Sequence, residues 1–160
     1  MANQKVDKRS SKIFYFAGDL ATVADAIAQA GTFSTPIATD LGSCDKVGAL
    51  LAVTAITAGA AGDLLDVAVQ TTLNPFDAVP FWFDVIAFSQ INLNGLAVPH
   101  YQAAQITHGQ ATSFNPATAL AAGSNRQSPG VQYRIKYTVT EGATADLRVT
   151  FRVILRAIGS

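Results

Sequence analysis

A chain of 160 residues can bury about 70% of its unfolded surface around one core, so a single domain is expected. Eleven basic and eleven acidic side chains cancel, which excludes the strong overall field that draws a protein to nucleic acid or anionic lipid. The lone cysteine, Cys44, excludes an internal disulfide framework and any CxxC metal knuckle, and leaves a buried thiol as its expected role.

Charged residues make up 14% of the chain, against roughly 25% in an ordinary soluble domain, and 49% are apolar. A surface this weakly charged suggests burial against partners. The charge is also polarised along the chain. Lys5, Lys8, Arg9 and Lys12 open it and six more basic residues follow Gly123, while Asp19 through Asp84 hold eight acids against Lys46 alone.

Residues 1–12 are polar and basic without periodicity and read as a flexible arm. The oily run Ile13–Ala17 is cut by Gly18 and Asp19 below the length of a signal-peptide core. Leu20, Val23, Ala24, Ile27 and Ala28 recur at helical spacing, predicting a short helix over Asp19–Ala30 that Gly31 closes. The expected division is therefore an arm and short helix over 1–31 and one β-sandwich domain over 32–160.

From Thr32 onward strand signals accumulate: Thr32–Thr39, Val47–Thr57, Leu64–Leu73 and Val79–Ile91. The weakly polar stretch Val47–Gly62 is shorter than the ~20 residues of a membrane helix, so no transmembrane segment is predicted. In Leu65–Leu73 the odd positions are oily, with Asp66, Gln70 and Thr72 facing away. Pro75–Phe88 holds Trp82 and four phenylalanines. Phe81, Phe83 and Val85 would oppose Trp82, Asp84 and Ile86, which puts large apolar groups on both faces. One face then meets the core and the other a second layer or another subunit. Residues 92–130 are broken by Asn94-Gly95, Pro99, Gly109 and Asn115-Pro116. They predict one or two strands around Leu96–Thr107 and an extended loop after Phe114.

The strongest signal is at the end. Val131–Val139 and Leu147–Leu155 alternate with period two, placing Tyr133, Ile135, Tyr137, Val149, Phe151 and Val153 on one face. Arg134, Lys136, Arg148, Arg152 and Arg156 fall on the other. With Glu141-Gly142 as the turn, this predicts a closing hairpin with an oily side and a cationic side. Strands at this spacing without long helices give an all-β class, an antiparallel sandwich or barrel.

No reaction is spelled out. His100 and His108 lack ligand spacing and a nearby carboxylate cluster. No GxSxG elbow, phosphate loop or GxGxxG is present, and Cys44 has no base beside it. The ten Asp and one Glu single out no carboxylate pair. An enzyme, a metal and a cofactor are not expected. The cationic row reads either as solvated arginines protecting a sheet, or as an anion-facing surface. Direct nucleic-acid binding is not expected, because the aromatics that would stack on bases lie on the opposite face.

The order Asp40–Ser43, Ala49–Ile56, a Gly/Ala turn, Leu65–Gln70, Trp82-Phe-Asp84, Tyr133–Val139 and Leu147–Val153 resembles small β-sandwich virion proteins of tailed bacteriophages, among them capsid cement or decoration proteins. The resemblance covers residues 38–91 and 126–157. It implies a jelly-roll-like domain that is made in the cytoplasm of a bacterial host. There it would assemble as a dimer or trimer on the capsid exterior and brace neighbouring copies of the major capsid protein. On that reading Lys5, Lys8, Arg9, Trp82, Arg134, Lys136, Arg148, Arg152 and Arg156 contact the coat or a sister subunit. A tail, neck or head-completion component, and a glycan-binding module stacking sugars on Trp82 or Tyr101, remain the alternatives.

Overall fold

Alternating apolar and polar residues force a chain into strands whose oily faces must meet, and in this protein they meet between two antiparallel sheets. The structure, a computed structural model, describes residues 11–19, 31–34, 46–57, 59–72, 74–107, 117–126, 132–142 and 147–158, without the side chains of 11–19, 31–34 and 157–158. The described elements are all strands: β1 Ser11–Asp19, β2 Gly31–Ser34, β3 Lys46–Thr57, β4 Leu64–Thr72, β5 Phe83–Ala87, β6 Ile91–Asn92, β7 His100–Thr107, β8 Gln132–Thr140 and β9 Arg148–Ile158. Sheet I runs β1-β9-β3-β7, and sheet II runs β2-β8-β4-β5 with β6 also on β4. The class is all-β and antiparallel, as expected. The pairs are nested: β1 with β9, β2 with β8, β3 with β7 and β4 with β5.

The core lies between the sheets. Sheet I contributes Val47, Leu51, Val53, Phe151, Val153 and Leu155, and sheet II Leu65, Val67, Val69, Tyr133 and Ile135, all buried. Burying a side chain of this size fully is worth about 1.5–3 kcal/mol, which makes this layer the main stabilising term. Tyr137 of sheet II meets Phe151 of sheet I edge to face, with centroids 5.1 Å apart, a geometry that aromatic quadrupoles favour. Burial raises the Tyr137 hydroxyl above the usual phenol range.

Two bulges change which residues face inward. Between Val53 and Ala55 the β3 register slips against β9, so the inward parity passes from Val47, Leu51 and Val53 to Ile56. Thr54 at the bulge donates its hydroxyl to the Thr150 carbonyl at 3.3 Å. In β5 the shift lies opposite Val69/Gln70, with Phe83 paired to Thr71 and Ile86 to Val69. Phe83, Val85 and Ile86 are consequently all buried. The two-faced aromatic strand expected over Val79–Ile91 is in fact a five-residue strand with one extra residue. The bulge, not a second layer, accounts for its apolar residues at both parities.

Other expectations are corrected in the same way. β8 and β9 do not form a hairpin: β8 lies in sheet II and β9 in sheet I. Their oily faces oppose each other across the core instead of lying side by side. Glu141-Gly142 does not serve as a hairpin turn, because the Gly142 N–H donates to Asp63 Oδ1 at 2.7 Å and ties the end of β8 to the β3–β4 connection. Residues 11–19, divided between arm and helix in the sequence reading, form β1 and join sheet I, so the sandwich begins before residue 32. The rest of the expected helix, residues 20–30, lies outside the described residues, as do Cys44 and His108. In the broken segment, His100–Thr107 forms β7, and 117–126 is a loop docked on the edge of β5 through Ala87 N–H to Ser124 O and Arg126 N–H to Val85 O, both 2.9 Å.

Asp63 closes one end of the sandwich. It is fully buried, and its Oδ2 accepts the Ala60 N–H at 2.6 Å while its carbonyl accepts the Leu93 N–H at 2.9 Å. A Cβ at Gly142 would stand 2.1 Å from the Ala61 carbonyl oxygen, so only glycine lets these backbones approach.

Candidate functional site

The outer face of sheet I carries the arginine row. Arg148, Arg152 and Arg156 are exposed at every fourth position of β9, roughly 13 Å apart by the strand rise. In the register Arg148 lies opposite Thr57, Arg152 opposite Ala17 and Ala52, and Arg156 opposite Ile13 and Gly48. Among the described residues no carboxylate stands directly across from any of them, Asp19 of β1 being paired with Thr150 between Arg148 and Arg152. Between the arginines, Ile154 pairs with Leu50, and Leu50 with Ala103, so the charged row borders a low apolar strip. Tyr101, 58% exposed, stands on the same face beside Ala52.

The outer face of sheet II is wired differently. Arg134 Nε donates to Gln70 Oε1 at 2.8 Å, and Gln70 Nε2 donates to Asp84 Oδ1 at 2.8 Å. The Arg134 guanidinium also sits 4.5 Å over the Trp82 ring, a cation–π contact that occupies one face of the indole. Partial burial lowers the Arg134 pKa from the usual arginine range, while the Asp84 charge pushes it back up. Arg134 is therefore committed within its own sheet. Asp66 is likewise held, by Gln90 Nε2 at 3.1 Å to each carboxylate oxygen.

Beside this network lies a hollow of about 280 Å³. It exists because Ala68 and Ala87 pair across β4 and β5, so two short side chains leave a depression among longer ones. Leu120 and Ala122 of the docked loop form one wall. Asp66 and Asp84 line it, as does Lys136, whose register partners are Ala68 and Ser34.

The third feature is the loop between β4 and β5. Asn74 organises it: Oδ1 accepts the Thr72 hydroxyl at 2.8 Å and the Phe81 N–H at 3.1 Å, and Nδ2 donates to Asp77 Oδ2. The Asp77 N–H closes a turn on the Asn74 carbonyl at 3.2 Å. On this braced loop Phe76 is 95% exposed and Val79 85% exposed, and Phe81 stacks on Phe83 at 6.4 Å. Phe76, Val79 and Phe81 thus give this loop an exposed apolar tip.

The structure thus separates what the sequence reading grouped. Arg148, Arg152 and Arg156 share one face, Arg134, Lys136 and Trp82 belong to the other sheet's side, and Lys5, Lys8 and Arg9 lie outside the described residues. Phe76, Val79 and the Ala68/Ala87 hollow were missed. The Asn74-Pro75 turn signal was the available hint for the loop; the hollow had none, being made by cross-strand pairing. Among the described residues no group of three or more His, Cys, Asp or Glu is placed to hold a metal ion, and no helix is long and apolar enough to cross a membrane. No protein family, curated protein or solved structure matches the chain.

Proposed function

We propose that the protein is a structural virion subunit that binds the outside of a phage capsid and braces neighbouring major capsid protein subunits. The observation that carries this reading is the arginine row of sheet I, three exposed arginines along one strand with no carboxylate directly opposite them among the described residues. Planar arginine forks suit bidentate pairing with carboxylates, so the face fits an acidic protein surface better than it fits water. The strand order supports the same reading. Apart from the two-residue β6, the pairs nest as one long hairpin rolled on itself, an order compatible with a jelly roll, the architecture common in viral capsid and lectin domains. Repetition by symmetry would multiply a modest interface energy at each site.

Because Arg134 is tied to Gln70, Asp84 and Trp82, and Lys136 lines the other sheet's hollow, the capsid-facing set among the described residues reduces to Arg148, Arg152 and Arg156, with Lys5, Lys8 and Arg9 of the arm beside them in the proposal. Replacing all three with Ser is expected to reduce particle attachment at low salt and to change it little at high salt, where screening already removes much of the attraction. Attachment that is unchanged at every ionic strength excludes this role. Counting the chain against the coat protein by quantitative mass spectrometry of purified particles separates the neighbouring readings. Near-stoichiometric copies fit a cement protein, a few copies fit a tail or neck component, and absence refutes the virion reading.

A further inference from the structure

The sheet II side holds a convex apolar loop tip and a concave hollow that the arginine row does not use. We propose that they are two halves of one self-complementary interface. The 74–82 loop of one copy seats Phe76 in the Ala68/Ala87 hollow of a second copy, and the second copy's loop does the same in return.

Shape gives the first argument. Phe76 and Val79 project almost wholly into solvent, while Asn74 holds their loop in place before contact, so little conformational entropy remains to be lost on docking. The hollow offers an apolar floor, Ala68 and Ala87, and an apolar wall, Leu120 and Ala122. Placement gives the second. The loop leaves β4 at Thr72 and enters β5 at Phe83, and the hollow lies along the same two strands, roughly 14 Å away by strand rise. A patch containing both a knob and a hole can pair with itself about a two-fold axis.

Charge gives the third. Asp77 lies between Phe76 and Val79 on the loop, and its Oδ2 accepts from Asn74, leaving Oδ1 to accept from outside. Of the charged groups lining the hollow, Asp66 is held by Gln90 and Asp84 by Gln70. Lys136 has only Ala68 and Ser34 opposite it in the sheet, so it is the cation placed to meet a partner's Asp77. The dimer leaves the sheet I face uncovered, and it concerns the free protein, so it stands or falls separately from capsid binding.

The test is sedimentation equilibrium of the purified full chain over a dilution series. The wild type is expected to dimerise, and Phe76→Ser to weaken the dimer by about 100-fold or more, the loss that follows from leaving two large apolar side chains unburied, one from each copy. Ala122→Trp, at an exposed loop position, is expected to weaken it similarly by filling the hollow. Mixing the two variants restores one intact knob-and-hole contact, so the mixture must associate more tightly than either variant alone. Asp77→Lys and Lys136→Asp are each expected to weaken the dimer, and the double variant to recover part of the loss. A protein monomeric at every concentration overturns the proposal, as does a dimer indifferent to Phe76→Ser and Ala122→Trp. Oligosaccharide binding by a monomer, blocked by Ala122→Trp, overturns it in favour of a glycan in the hollow.

Discussion

The two ends of β4 are built by the same device and put to opposite uses. Before the strand, Asp63 gathers the N–H groups of Ala60 and Gly142; after it, Asn74 gathers the Thr72 hydroxyl and the Phe81 N–H. Each is a short polar side chain whose reach matches backbone groups a few residues away, which is why such residues favour turns. The difference lies in the apolar neighbours. Around Asp63 they turn inward, Leu65 and Leu93 being buried, whereas around Asn74 they turn outward, with Phe76 and Val79 in water. A polar hub fixes the path of a loop. Whether that loop closes a core or offers a surface is decided by where its oily side chains point.

The sharpest way to break this comparison is at Asp63. Asp63→Ala leaves the Ala60 and Gly142 N–H groups without their acceptor, and hydrogen bonds to a charged group are worth about 1.5–3 kcal/mol each. A loss of about 3 kcal/mol is expected, read as a fall of roughly 6–12 °C in thermal midpoint for a domain of this size. Gly142→Ala attacks the same junction by steric means, since its Cβ would meet the Ala61 carbonyl oxygen, and about 2 kcal/mol is expected. Because both changes open one junction, the double variant should lose less than the sum. Strict additivity by denaturant titration would show that the two contacts are independent.

Asn74→Ala is the matched change at the other end. It removes three side-chain hydrogen bonds, but at a partly exposed site where water replaces them, so about 1 kcal/mol is expected. Its larger effect should be on association. A loop freed to move must be ordered on docking, and the dimer should weaken although Phe76 is intact. A stability loss as large as that of Asp63→Ala, measured in the same titration, would mean that the β4–β5 loop belongs to the fold and not to a contact surface.

How far the sequence foretold this arrangement follows from the range of each signal. The period-two alternation of β4, β8 and β9 is local, and their inward residues, Val67, Ile135 and Val153 among them, were legible. Which sheet each strand joins was not, because alternation is the same whether two oily faces lie side by side or oppose each other. Hence the hairpin expected from Val131–Leu155 and the division of its cationic row between two sheets. The β5 bulge escaped for a related reason: Val85-Ile86 is two apolar residues in a row, which reads equally as a two-faced strand. Arg148, Arg152 and Arg156 were legible as one face, since a single strand carries all three. The hollow needs Ala68 to pair with Ala87, and the loop hub needs Asn74 to meet Phe81, and neither contact is written in spacing.

The smallest expected effect is the one that separates fold from surface most cleanly. Phe76→Ser together with Val79→Ser removes two large apolar side chains, changes that would cost several kcal/mol in a core. At 95% and 85% exposure these side chains bury almost nothing in the monomer, so unfolding exposes no more of them than folding already does. The free energy of unfolding should therefore stay within about 0.5 kcal/mol of the wild type when measured at concentrations that keep the chain monomeric. At concentrations that favour the dimer, the wild type alone should gain stability by mass action, opening a gap in thermal midpoint that closes on dilution. A gap that persists at every dilution would mean that Phe76 and Val79 are packed within a single chain, and the outward end of β4 would then be no different in kind from the inward one.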